Sequence, residues 1–187
     1  NFDQAIAMST KAYELRKNID DKRGIVSSLL ELGLIYEEKG DTKGALKKLQ
    51  MADSLAKRIH DPVTLAEIVL GVAEIFLNEK RYEESYAKAS EVLKTVSDII
   101  NQNIFIRASL IRGKYFLFRK NFPAALSIFE DIVQKAEQSG NINYQIDATK
   151  NLALCYQALG NKSKAAETNV KAEILSDDNN YRSKRTG

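Results

Sequence analysis

The sequence predicts an all-α fold, a solenoid of antiparallel helix hairpins, and three observations predict it. A small residue is followed three positions later by an aromatic at Gly33 and Tyr36, Ala73 and Phe76, Gly113 and Phe116, and Ala153 and Tyr156, at a constant spacing of 40 residues. A second lattice, Ala5, Ala45, Ser85, Ala125 and Ala165, runs in phase with the first at the same spacing. Apolar residues within one period recur at helical intervals in two runs. Leu65, Ile68, Val69, Val72, Ile75 and Phe76 form the first, and Tyr82, Tyr86, Ala89, Val92, Leu93 and Val96 the second. Two lattices in phase identify an internal repeat. Such repeats bury their apolar faces on each other rather than in one central core.

Taken in order, residues 1–20 match the second helix of a unit through Phe2, Ala5, Ile6 and Ala12. Whole units follow at 21–60, 61–100, 101–140 and 141–176. The polar run Ser176 to Asn180 interrupts the pattern, so 177–187 reads as a loose tail or linker. Asp21, Asp61, Asn101 and Asn141 stand before the first helix of each unit and are strong N-cap types. The turn between the helices falls at Gly40-Asp41, Lys80-Arg81, Lys120-Asn121 and Gly160-Asn161. Gly40 and Gly160 suit a left-handed helix end, while Asp41, Asn121 and Asn161 can cap the helix that follows. Pro62 and Pro123 fall in first turns, where a missing N–H is harmless. Glycine inside a helix costs about 1 kcal/mol relative to alanine, so Gly33 and Gly113 imply a close approach of two helices.

The run Asn151-Leu152-Ala153-Leu154-Cys155-Tyr156-Gln157-Ala158-Leu159-Gly160-Asn161, with Ala165 behind it, resembles the tetratricopeptide (TPR) repeat family. So do Leu32-Gly33, Tyr36, Gly40-Asp41 and Ala45, and likewise Gly113, Phe116, Phe122, Ala125 and Phe129. The resemblance covers nearly the whole chain. Its period of 40 departs from the family's usual 34, and Leu29, Val69, Ser109 and Thr149 replace the large residue at the start of the family's first helix. Forty-residue versions are familiar from bacterial signalling proteins and from LGN-type adaptors, and these residues do not separate the two.

The resemblance implies a right-handed superhelix whose first helices line a concave groove. Carried over residue by residue, it sets four columns on the groove wall: Ser27, Glu67, Arg107 and Asp147; Leu30, Leu70, Leu110 and Lys150; Leu34, Glu74, Lys114 and Leu154; and Glu37, Leu77, Leu117 and Gln157. Phe118 adjoins Leu117. The expected groove for a peptide or protein ligand is therefore Glu67, Leu70, Glu74, Leu77, Arg107, Leu110, Lys114, Leu117, Phe118, Asp147 and Lys150, an apolar strip flanked by charges. Against this stands ordinary inter-repeat packing of the same leucines. The alternating charges read better as structural pairs than as ligand contacts. The family's chaperone-tail clamp needs Lys and Asn where this chain has Leu30, Leu34, Leu70, Gly71 and Glu74, so that mode is not expected. Arg112 occupies the core-facing position of Leu32, Val72 and Leu152 and is expected to snorkel.

Composition narrows the function classes. A net charge of +3 comes from 28 basic residues interleaved with 25 acidic ones, without the basic run that nucleic-acid contact would need. No apolar stretch is long enough to span a bilayer. The single His60 adjoins a helix boundary, and Cys155 reads as a small buried hydrophobe. No metal cluster, phosphate loop or nucleophile elbow appears, so neither an enzyme nor a cofactor is expected. The expectation is an interaction scaffold. The alternatives are a sensor or regulatory segment of a bacterial signalling or transcription-regulating protein, and a module that self-associates through its open repeat ends. Because the chain opens on Asn1 it reads as a fragment, cytoplasmic or part of a periplasmic sensor.

Overall fold

Most of the helices start and stop by the same two devices. A computed structural model describes residues 1–96 and 101–186; over these the chain forms helices and no strand. They are α1 (Phe2–Asn18), α2 (Lys22–Glu38), α3 (Thr42–Ile59), α4 (Pro62–Asn78), α5 (Tyr82–Thr95), α6 (Gln102–Phe118), α7 (Phe122–Gln138), α8 (Ile142–Ala158) and α9 (Lys162–Thr186). The last four positions of the expected 61–100 repeat lie outside the described residues.

Among the described residues, left-handed residues fall at multiples of 20: Asp20, Gly40, His60, Lys80, Lys120, Gly140 and Gly160. The next residue closes a Schellman-type 6→1 hydrogen bond, as in Asp41 N–H to Tyr36 O at 2.8 Å and Asn121 N–H to Phe116 O at 2.9 Å. That same residue is the N-cap of the following helix. Asp21, Asp41, Asp61, Asn101, Asn121, Asn141 and Asn161 each accept the backbone N–H three residues on. At the joints within each unit, one helix end and the next helix start thus share a single residue.

Arg81 stands at the same place without a capping side chain. Its guanidinium bonds Glu84 and Glu79 and lies 4.0 Å from the centre of the Phe76 ring. The arginine holds the Glu84 carboxyl below its ordinary range and is itself held more firmly protonated.

The helices form two compact units, α1–α5 and α6–α9. In the first, Val26, Leu29, Leu49, Ala52, Ile68 and Ile75 build the core. In the second, Ile106, Leu110, Phe129, Ile132, Ala148, Leu152 and Cys155 build it. The two small-residue lattices meet where paired helices cross. A Cβ on Gly33 would come 2.9 Å from Leu49 Cδ2 and 3.5 Å from the Ala45 carbonyl. At the next crossing the Ser85 hydroxyl donates to the Ala73 carbonyl at 2.7 Å. Gly113 faces the ring of buried Phe129, whose Cζ would stand 2.6 Å from an added Cβ.

One expectation gives way. The segment 177–186 is helical, the end of a 25-residue α9, not a loose tail. Ser, Asp and Asn inside a helix cost only fractions of a kcal/mol each, about 0.7 at most, and no Gly or Pro interrupts the run. Asn179 Nδ2 also donates to Asn143 Oδ1 at 3.0 Å, tying this part of α9 to α8.

Candidate functional site

In the first unit the groove residues lie on α4. Glu67, Glu74 and Leu77 are half-buried, and Leu34 on α2 is exposed. Asn78 at the end of α4 donates to Glu37 on α2, bridging two first helices. Leu70 is fully buried, so it offers nothing to a ligand.

In the second unit Leu110 is likewise buried, in the core cluster with Ile106, Ala148 and Leu152. The expected strip loses both leucines to burial. In the second unit α6 packs directly on α8, and that contact takes up Leu110. Only Leu30, half-buried, and Lys150, exposed, keep solvent contact in this column.

The remaining second-unit residues share one face of α6 and α8. Lys114 Nζ pairs with Asp147 Oδ2 at 2.8 Å, and Asn151 Nδ2 donates to the other Asp147 oxygen at 2.8 Å. The pair joins neighbouring helices diagonally across two columns. Its side chains are 32% and 39% exposed, so its stabilisation is about 0–1 kcal/mol. Arg107 is half-buried. Leu117 is half-buried and packs against the core, whereas Phe118 is 48% exposed and Leu154 52% exposed. Lys150 precedes Leu154 by one turn of α8. The face is a charged, pinned centre with two open apolar side chains beside it.

The other singled-out residues have structural places. His60 is the left-handed residue after α3. Cys155 is fully buried, and burial, with a smaller contribution from Glu130, pushes its thiol up to about 11. Arg112 is half-buried, its Nε shielded from solvent and without a hydrogen-bond partner among the described residues. Exposed apolar residues also mark α1 and its C-cap (Met8, Leu15, Ile19) and α9 (Val170, Ile174, Tyr181). Among the described residues no group of three or more His, Cys, Asp or Glu is placed to hold a metal, and no helix is long and apolar enough to cross a membrane.

One feature escaped the sequence reading. A cleft of about 500 Å³ opens in the first unit between α3 and α5, with α4 as its floor. Its floor residues Leu65, Val69 and Val72 lie on the side of α4 opposite Glu67 and Glu74, at about 100° per residue. It is therefore separate from the first-helix face. No single sequence motif signals it, because three helices build it together.

No family model and no curated protein matches the sequence. Solved structures do. BtubC (BKLC) from P. vanneervenii aligns with a TM-score of 0.61 at 14% identity, over 96% of this chain and 92% of that one. Two structures of the nearly identical TPR-like repeats of a kinesin light chain from P. anserina align at 13% identity. Their TM-scores are 0.66, over 96% of this chain and 89% of that one, and 0.64, over 95% and 88%. At these identities the likeness is one of fold: the chain is an α-solenoid of TPR-like helical repeats.

Proposed function

We propose that this chain is a protein-interaction scaffold that takes an extended or helical peptide segment along the α6–α8 face. The observation that carries the reading is the pair Phe118 and Leu154, each about half exposed on first helices beside the Lys114–Asp147 pair. Exposed apolar side chains grouped on a repeat surface mark interaction sites, and anchors of this kind dominate binding when a partner desolvates them. Asp147 already holds Lys114, so the pair orients the face while the apolar side chains supply affinity. Lys150 adds an open positive charge suited to an acidic residue of the ligand.

The test is selection of a displayed random peptide library on the wild-type chain, followed by affinity measurement on a Phe118→Glu/Leu154→Glu variant. Both positions are exposed, so helicity is expected to be unchanged. Selected peptides are expected to bind the variant at least 10-fold more weakly. Equal affinity for both proteins refutes the assignment of the face.

A further inference from the structure

The cleft of the first unit is a trough with two walls. Leu46, Leu49, Gln50, Asp53 and Lys57 of α3 form one, and Lys88, Glu91, Val92 and Thr95 of α5 the other. Both sets recur at intervals of three and four, so each wall is one stripe of its helix. The floor runs from Pro62 to Val72 on α4, a rise of about 15 Å or three helical turns.

The repeat shows that this trough is a departure and not a property of every hairpin. At the equivalent positions of the second unit, Phe129 replaces Leu49, Val133 replaces Asp53, and Gln145 and Thr149 replace Leu65 and Val69. Phe129 and Val133 take part in the second unit's core packing, and Thr149 returns its hydroxyl to the Gln145 carbonyl at 2.6 Å. Only the first unit combines an apolar floor with charged walls. The α4 helix consequently carries apolar residues on both sides, and Leu65, Val69 and Val72 remain half-buried on the open side.

The walls also have a charge order. In repeat register Glu91 matches Met51 and Lys88 matches Lys48. The middle of the trough is thus acidic on both sides, through Asp53 and Glu91, with Lys88 toward one end and Lys57 toward the other. Asp53 binds Lys57 through Oδ2 at 2.7 Å, and Glu91 binds Lys88 through Oε2 at 3.2 Å. Each pair engages one carboxylate oxygen. Glu91 also acts electrostatically on Lys57 across the trough and adds to the effect of Asp53 in raising its pKa.

From this geometry we infer that the trough is a second docking site, which takes an amphipathic helix of a partner protein with basic residues flanking the middle of its apolar stripe. A helix of three to four turns matches the floor in length and lays its apolar residues on Leu65, Val69 and Val72. Its central lysines or arginines reach the second oxygens of Asp53 and Glu91. A helix with acidic residues at its centre meets like charge on both walls and is rejected.

Two labelled helical peptides of about 14 residues test this. They share one leucine stripe and differ only in carrying lysine or glutamate beside its centre, and their binding to the whole chain is followed by fluorescence anisotropy. The lysine peptide is expected to saturate and the glutamate peptide to bind at least 10-fold more weakly. Glu91→Lys, an exposed change, is expected to reduce lysine-peptide affinity at least 10-fold. Val69→Phe, which fills the floor, is expected to do the same, with thermal melts checking that each variant folds. Phe118→Glu/Leu154→Glu is expected to leave this binding unchanged, which separates it from the first-helix face. The inference is overturned if neither peptide saturates, or if both bind equally and Glu91→Lys changes nothing. Saturable binding of the neutral dye Nile red without either peptide also overturns it, since that marks a small-molecule pocket.

Discussion

Two buried helical glycines should respond to the same methyl group with opposite signs. At Gly71 an added Cβ stands 3.4 and 3.6 Å from the Leu49 methyls, ordinary van der Waals contact. Gly71→Ala then keeps the gain in helix propensity, about 1 kcal/mol. At Gly113 the same atom stands 2.6, 2.7 and 3.2 Å from three carbons of the Phe129 ring. That ring is fully buried, so the strain cannot be relieved into solvent. Overpacking costs about 1–3 kcal/mol, and subtracting the propensity gain leaves a net loss of about 1 kcal/mol. The two variants should therefore differ by about 2 kcal/mol, combining these overpacking and propensity effects. Thermal and urea melts followed by circular dichroism measure this. The expected shifts in Tm are about 2–4 °C upward for Gly71→Ala and a similar amount downward for Gly113→Ala. If Gly113→Ala stabilises as much as Gly71→Ala, the close approach of α6 and α7 at this point is wrong.

Two further outcomes follow from the backbone and from burial. Lys120 (φ 55) and Lys80 (φ 62) hold the left-handed position that glycine fills after α2 and α8. Lys120→Gly and Lys80→Gly should each raise stability in melts by about 0.5–1 kcal/mol, the relief of αL strain less glycine's added chain entropy; a loss at either site contradicts the geometry. Cys155, with its pKa raised by burial from 9.0 to about 11, holds roughly 100-fold less thiolate near pH 8 than a free thiol. Labelling with a thiol-specific disulfide reagent should be more than 100-fold slower in native buffer than in denaturing urea, with the rate rising as pH rises; equal rates contradict its burial.

The period, both lattices, the caps and the hairpin order were legible in the sequence because each depends on residue type at a fixed local spacing. The half-period was harder to see. Histidine and lysine at positions 60, 80 and 120 do not announce a left-handed residue as glycine does, although the Asp and Asn caps already recur every 20 residues. The burial of Leu70 and Leu110 is illegible in the sequence for a different reason. Their burial depends on tertiary packing that the spacing along one helix does not carry, as where α6 meets α8 around Leu110. The polar stretch from Ser176 continues a helix because weak propensity is not a stop signal; most working stops in this chain are left-handed residues followed by a cap. The trough was invisible for the same reason as the buried leucines. It is a property of three helices, and its residues carry no short-range signature.

Where one residue closes a helix and caps the next, the chain has no slack. A connection of two or three residues can absorb an insertion by looping outward, but here one inserted residue turns the next helix by about 100° and points its apolar stripe at solvent. Within each unit the chain is thus a counting frame: a tolerated gain or loss must come in steps of 20 residues, and in steps of 40 if the alternation of first and second helices is to survive. Length variation among natural relatives is expected to be quantised in that step. Sequence novelty is then confined to substitutions within a fixed register, which is how Asp53, Leu65, Val69 and Glu91 distinguish one hairpin from the others without moving any helix.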